Sequence, residues 1–264
     1  MSCLAKEGVV CTLVTLYGIN DRYPLIVLAN RDEKLGRPST VPRVLHQNTQ
    51  GSLRTRSLAP LDIPSGSTWI GLSARGFFAA VTNQDSDTID PQAKSRGKVV
   101  SEVLRLQGVY EASDYLKSLN PEQYNPFNLV FGSVYNMRLA RVHRGRPVSI
   151  ETMNPGIAVT SNDQSETGAY AVKCKRAADL AASIQDREPL NGILQKAAYI
   201  LGYHENGEVG PHQSICVHSG EFGTRSTSVL LIPRYAEDNP RLFHSEGPTC
   251  KSEGFAEYSY LFEE

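Results

Sequence analysis

The sequence predicts an α+β domain, with helices packed outside antiparallel sheets. Three observations carry this. Strand-like and helix-like segments come in blocks: two hairpins, two helices, several strands, two helices, several strands. No repeat with a period of roughly 20–50 residues appears, which removes solenoids and propellers. No stretch has the composition of a linker, so the 264 residues read as one domain.

The first block is β. Residues 11–17 (CTLVTLY) are short, β-branched and half-alternating, as a strand is. Asn20 to Tyr23 form a turn-like break. Residues 24–29 (PLIVLA) then run apolar until Asn30-Arg31-Asp32-Glu33, where the run stops. The two runs read as an antiparallel hairpin. Residues 36–66, rich in Gly, Pro, Ser and Arg, read as a long ordered loop of the kind that is usually functional. A second hairpin, 68–73 and 77–82, turns at Ala74-Arg75-Gly76 and ends at Asn83.

Helical spacing then takes over. Residues 95–106 place Val99, Val100, Val103 and Leu104 on one face, and 110–119 follow as a second helix. Residues 128–133 and 137–142 are strands about a turn, with Phe127 assigned to the core just before them. A short strand at 157–160, helices at 170–184 and 190–201, strands at 214–217 and 226–232, and an aromatic run at 258–262 complete the chain.

Composition excludes several function classes. The 27 basic residues nearly balance the 28 acidic ones, which argues against a basic nucleic-acid binder or a polybasic membrane-surface protein. No apolar run reaches the ~18–20 residues of an integral membrane segment. The opening MSCLAKEGVV lacks the apolar stretch of a secretory signal, so the expected location is the cytoplasm. Cys3, Cys11, Cys174, Cys216 and Cys250 are scattered, odd in number and free of C-x-x-C, which favours free thiols over a disulfide framework. Phosphate-loop, dinucleotide, G-x-S-x-G and H-E-x-x-H patterns are absent.

The candidate chemistry is local. Asn30-Arg31-Asp32-Glu33 either presents an Arg–carboxylate pair to a cleft or forms a solvated turn. Asn83 offers an amide to an oxyanion or takes a left-handed turn position, and Asn162 carries the same two readings. Arg225, in Gly223-Thr224-Arg225-Ser226, belongs to a tight turn aimed at a pocket or to a plain hairpin turn. Cys11 is a buried apolar filler or a nucleophile, and no sequence-local His stands beside it as a base. His204 with Glu205, and His212 with His218, invite a metal reading. The second pair would lie some ~20 Å apart on an extended strand, so no metal site is expected.

These residues together resemble the NRDE family, also called the transport and Golgi organisation 2 family. Leu28-Ala29-Asn30-Arg31-Asp32-Glu33 with Arg37-Pro38 resembles its ANRDE…RP signature. Ser67-Thr68-Trp69-Ile70-Gly71 is similar to GTWLG, Ala79 to Asn83 to its ALTN strand end, and Ser95-Arg96-Gly97 to its SRG helix start. Asn125 to Leu129, Ser161-Asn162, Ile215-Cys216-Val217 and Phe222 to Ser226 match further motifs in order.

The resemblance implies an αββα sandwich of two antiparallel sheets flanked by helices, as in N-terminal nucleophile (Ntn) hydrolases. In such enzymes the first residue is the nucleophile and its own α-amino group is the base, with an ordinary pKa near ~7.7–8.0. Cys11 falls at that position. The implied catalytic set is Cys11, Arg31, Asp32, Asn83 and Asn162. Asn30, Glu33, Trp69 and Arg225 are the implied substrate-binding residues. The implied substrate is a small acyl-amide or thioester, with no cofactor. The alternative is a non-catalytic binding or trafficking protein for haem or for acyl-CoA and lipid. His204, His212 or Cys216 would then be candidate axial ligands.

Ten residues precede Cys11. Translation could start at Val10, since a GTG codon reads as Met when it initiates and would give Met-Cys-Thr-Leu. A propeptide could be cut before Cys11, or the extension could be permanent and the protein no Ntn enzyme. The first reading is favoured, with 1–10 as a mis-assigned start or extension and 11–264 as the domain.

Overall fold

The computed structural model describes residues 11–48, 55–86, 88–162, 167–204, 213–235, 238–252 and 254–263. The extension 1–10, with Cys3 and Val10, lies outside them, as does His212.

The strands in chain order are β1 (Thr12–Tyr17), β2 (Leu25–Lys34), β3 (Arg43–Asn48), β4 (Thr55–Ala59), β5 (Ile70–Ser73), β6 (Phe78–Asn83) and β7 (Phe127–Ser133). They continue with β8 (Asn136–Val142), β9 (Ser149–Met153), β10 (Gly156–Thr160), β11 (His218–Ser219), β12 (Phe222–Ile232), β13 (Arg241–Ser245) and β14 (Ala256–Glu257). The helices are α1 (Arg96–Leu106), α2 (Val109–Lys117), α3 (Ala169–Ala181) and α4 (Leu190–Gly202).

Two seven-stranded sheets form, antiparallel throughout. One runs β10-β1-β2-β12-β13-β14, with β11 paired to β12, and the other runs β3 to β9 in sequence order. Three apolar cores stack them into four layers. Leu13, Leu25, Val27 and Leu230 meet Leu72, Phe78 and Val130 between the sheets. On the outside of the first sheet, Val14, Ile26, Leu28 and Val229 pack on Ala177 of α3 and Ile193 and Ala197 of α4. On the outside of the second, Ala79, Phe127 and Leu129 pack on Val99, Val103 and Leu104 of α1 and Leu116 of α2. Side chains alternate across a strand, so each central strand feeds two cores. This is the αββα sandwich that the family resemblance implies, and it fits the α+β layout read from the order of elements.

The helical spacing was decisive for α1. Val99, Val100, Val103 and Leu104 are its buried residues, and each contributes about 1.5–3 kcal/mol by leaving water. Gly97 lets this helix dock: a Cβ there would stand 2.7 Å from the Thr68 carbonyl oxygen and closer still to Ser67 Oγ. The SRG segment is therefore a packing contact against the segment that precedes β5.

Four expectations need correction. Residues 36–66 contain β3 and β4 and are not one loop. Residues 214–217 form no strand; the Cys216 N–H donates to Tyr203 O (2.9 Å) and the Val217 N–H to Thr224 Oγ1 (2.9 Å) in place of a ladder. The aromatic run at 258–262 contains a 3₁₀ turn, Ser259–Phe262, with Ser259 Oγ accepting from the Leu242 N–H at 3.0 Å. Finally, Asn30-Arg31-Asp32-Glu33 does not end a strand. β2 continues through it to Lys34, paired with β12.

Candidate active site

The site grows from that continuation of β2. Ile26 and Leu28 face the α3/α4 layer, and Val27 and Ala29 face the other sheet. By the same alternation Asn30 and Asp32 face the helices, and Arg31 and Glu33 face the second sheet. The contacts follow this division. Asn30 Nδ2 donates to Leu201 O and Ile215 O, both at 2.8 Å, so it ties β2 to the end of α4 and to the 214–217 segment. Asp32 is fully buried, accepts from Thr224 Oγ1 at 2.6 Å and lies 3.8 Å from Lys173 Nζ of α3. On the opposite face the Arg31 guanidinium stacks 4.4 Å from the Trp69 ring centroid and donates to Asp62 Oδ1 at 2.7 Å. Glu33 lies 3.8 Å from both Arg31 and Arg37.

Asp62 is a hub. It also accepts from Arg37 Nε (2.6 Å) and Nη2 (2.7 Å) and from Ser65 Oγ (2.5 Å). Two arginines and a serine hold its carboxyl below the ordinary carboxylate range in spite of partial burial.

Cys11 stands at the head of β1, buried beside Asp32. Its backbone nitrogen donates to Asn162 Oδ1 at 3.0 Å, and its carbonyl accepts from Ser161 Oγ at 3.1 Å. The loop that supplies both is anchored from the second sheet: Asn128 Nδ2 donates to Ser161 O at 3.0 Å and to Thr82 Oγ1 at 3.2 Å. Asp85 N donates to Asn162 O at 3.1 Å. Burial and then the Asp32 carboxylate push the Cys11 thiol up to about 11. The Asp32 backbone N–H at the sulfur and the Arg31 charge oppose this. Burial also lifts the Asp32 carboxyl to about 6, against Lys173 and the Thr224 bond, and pulls the Lys173 ammonium down.

Asn83 closes β6, half-buried and opposite Phe127; no hydrogen bond joins it to Cys11 among the described residues. Arg225 sits at a bulge of β12, where the register with β2 skips from Thr224–Asp32 to Ser226–Arg31. It is thus neither of the two turns its sequence suggests. Burial, then Arg225 and Arg31, keep His244 neutral with a pKa down at about 4. Arg31 Nη1 and Arg225 Nε are both buried without a hydrogen-bond partner.

Of the sequence candidates, Cys11, Arg31, Asp32 and Asn162 converge, with Trp69 and Glu33 beside Arg31. Asn30 acts as a brace behind them. Sequence reasoning missed Lys173, Asp62, Thr224 and Asn128. Lys173 had a signal: it falls on the stripe Tyr170, Lys173, Ala177, Ala181, where a helix otherwise buries apolar residues.

The comparisons with known proteins agree with this architecture. Among solved structures, a mutant of conjugated bile acid hydrolase from Clostridium perfringens superposes with a TM-score of 0.57 at 10% identity, covering 94% of this chain and 92% of that one. An N-acylethanolamine-hydrolyzing acid amidase ortholog from Caenorhabditis elegans gives 0.56 at 10% identity, with coverage of 86% and 96%. At that identity the likeness speaks for the Ntn-hydrolase fold alone. The mouse and human Transport and Golgi organization 2 homologues are each 27% identical, over 80% of this chain and 82% of theirs. No helix among the described residues is long and apolar enough to cross a membrane. The family model described as Transport and Golgi organisation 2 matches residues 10–239, and the chain belongs to that family.

Proposed function

We propose that this protein is a cysteine amidohydrolase or acyltransferase acting on a small acyl-amide or thioester, with Cys11 as an N-terminal nucleophile once residues 1–10 are absent. The observation that carries this is the 3.0 Å bond from the Cys11 nitrogen to Asn162 Oδ1, beside a thiol that borders the Asp32 amide. Nitrogen and sulfur of one residue are each met by a polar group, Asn162 Oδ1 and the Asp32 amide, in a fold shared with a conjugated bile acid hydrolase and an acid amidase.

With a residue attached before it, the Cys11 nitrogen is an amide and takes no proton. Freed, it is an amine of ordinary pKa ~7.7–8.0 and serves as the base. The Sγ proton passes to this amine, and the thiolate attacks the acyl carbonyl carbon. The carbonyl electrons collect on oxygen, for which Asn83 is the candidate donor. The leaving amine or thiol departs with the proton from the Cys11 ammonium. Water, or another acyl acceptor, then releases the acyl group from sulfur. Asn162 orients the amine, Arg31 and Asp32 frame the thiol, and Trp69, Glu33 and Arg225 line the approach.

The test is the mass of the native N-terminus, together with turnover of a panel of acyl-amides and acyl thioesters. An N-terminal Cys11, and activity that Cys11→Ala abolishes, are expected. A native chain that still carries residues 2–10, or turnover unaffected by Cys11→Ala, would overturn the reading. Tight binding of haem or acyl-CoA without turnover would replace it with a carrier.

A further inference from the structure

At the end of α4, away from the second sheet, four side chains from three distant segments meet. Cys216 Sγ lies 3.6 Å from Cys250 Sγ and 3.4 Å from His218 Nε2, and His218 Nε2 lies 3.2 Å from Cys250 Sγ. His204 joins from the residues after α4: its ligand nitrogen, that of His218 and the Cys250 sulfur all lie within 4.8 Å of one another. The two imidazoles stand edge to face, with centroids 5.2 Å apart. We propose that Cys216, Cys250, His204 and His218 form a structural zinc site.

The geometry supports a single tetrahedral ion. With Zn–S bonds of ~2.3 Å and Zn–N bonds of ~2.0–2.1 Å, the edges of a tetrahedron measure about 3.5–3.8 Å between sulfurs or between sulfur and nitrogen. The three separations among Cys216, His218 and Cys250 fall near those edges, and His204, within 4.8 Å of the ligand atoms of His218 and Cys250, is the fourth ligand. Two sulfurs and two nitrogens in this arrangement suit zinc over a hard, oxygen-seeking cation. The sulfurs bind as thiolates and release their protons to solvent. At 3.6 Å the pair is far outside a disulfide bond of ~2.04 Å.

The backbone is arranged to hold the four together. The Cys216 N–H donates to Tyr203 O at 2.9 Å, which fixes Cys216 beside the residue that precedes His204. Thr249 Oγ1 donates to Ala198 O at 2.8 Å and pins the turn that carries Cys250 onto α4. Gly202 admits that turn: a Cβ there would meet both Cys250 N and Thr249 Oγ1 at 2.9 Å. The sequence hid the site, because the pairings it suggested were His204 with Glu205 and His212 with His218, and neither brings in Cys216 or Cys250. The site joins the segment whose Val217 N–H donates to Thr224 Oγ1, which in turn donates to Asp32. The inference is independent of the hydrolase reading.

The experiment is metal analysis of the purified full-length chain, followed by cobalt substitution. About one zinc per chain is expected, with the visible bands and sulfur-to-cobalt charge transfer of a tetrahedral thiolate site. Cys250 and His218 are exposed, so Cys250→Ser and His218→Ala should fold normally by circular dichroism. Each should weaken zinc binding by more than about 100-fold, the upper end seen when only an outer partner of a ligand is lost. Zinc no higher in the wild type than in Cys250→Ser would overturn the proposal, as would an octahedral cobalt spectrum. So would an intact mass two hydrogens low that reductant restores, the sign of a Cys216–Cys250 disulfide. If a variant misfolds, the wild-type cobalt spectrum decides alone.

Discussion

Freeing the Cys11 nitrogen should change the reactivity of its thiol in a calculable way. In the full chain, burial and the Asp32 carboxylate push this thiol from 9.0 up to about 11. Below pH 9 that cuts the thiolate fraction about 100-fold. A more basic thiolate is also the better nucleophile, with a Brønsted slope of ~0.4–0.5, which returns nearly tenfold. The net expectation is exchange with a small disulfide reagent about tenfold slower than for an ordinary thiol, before any shielding. Shielding lowers the rate at every pH alike, so the profile is the sharper readout. In the full chain the Cys11 rate should keep rising past pH 9, followed by site-resolved mass spectrometry. In a chain that begins at Cys11, an ammonium sits beside the sulfur. The rate near neutral pH should then rise, with an inflection near ~7.7–8.0 as the amine titrates. A full-chain profile that levels off at an ordinary thiol pKa would refute the reasoning. So would identical profiles for the two chains.

Three stability predictions follow from the same geometry. Phe127 is fully buried between the second sheet and α1/α2, so Phe127→Ala should cost about 3–5 kcal/mol by urea unfolding; a loss under about 1 kcal/mol would contradict its core placement. Gly97→Ala gains up to about 1 kcal/mol of helix propensity but drives a Cβ into the Ser67 side chain and the Thr68 carbonyl oxygen. Overpacking of about 1–3 kcal/mol should win, and a higher melting temperature would show the contact to be loose. Asp32 titrates at about 6 when folded and near 3.8 when unfolded, so the folded state holds the extra proton between these values. Its contribution to stability is complete below pH 3.8 and falls as pH rises through 6, by roughly 3 kcal/mol at most. The difference in urea midpoint between wild type and Asp32→Asn should therefore change across pH 4–7; a constant difference would remove the burial argument.

The elements legible in the sequence are those with one clean periodicity. α1 showed a four-residue apolar face, and β1, β6 and β7 are short apolar runs buried on both sides. β3 and β9 escaped notice because they are the two edges of their sheet; β9 exposes or half-exposes every residue, so no alternation survives. β13 is buried but carries Arg241, His244 and Ser245, which masked it as polar loop. The site was legible as residue types in order, and not as geometry. Nothing local in the sequence links Asp62 to Arg31, or Lys173 to Asp32, because those contacts are made by sheets stacking and a helix laid across them.

The tetrapeptide Asn30-Arg31-Asp32-Glu33 shows what that stacking accomplishes. Read as a turn, four polar residues in a row are four solvated side chains. Read in a strand, they are two pairs sent to opposite faces. Asn30 and Asp32 enter the helix layer, where one braces backbone carbonyls and the other meets Lys173 and Thr224. Arg31 and Glu33 enter the space beside the second sheet, where Trp69 and Asp62 receive the guanidinium. Burying such groups is tolerable only because nearly every one finds a partner of opposite character. The bulge at Arg225 makes this possible on the neighbouring strand: it sets Thr224 opposite Asp32 and Ser226 opposite Arg31. Carried on from the Thr224–Asp32 pair, a straight register would put Arg225 opposite Arg31, two like charges across a ladder, which is destabilising; carried back from the Ser226–Arg31 pair, it would put Arg225 opposite Asp32 and take Thr224 off that carboxylate. The bulge and the tetrapeptide are thus one device, and Cys11 lies beside it, within reach of the charges of both Asp32 and Arg31.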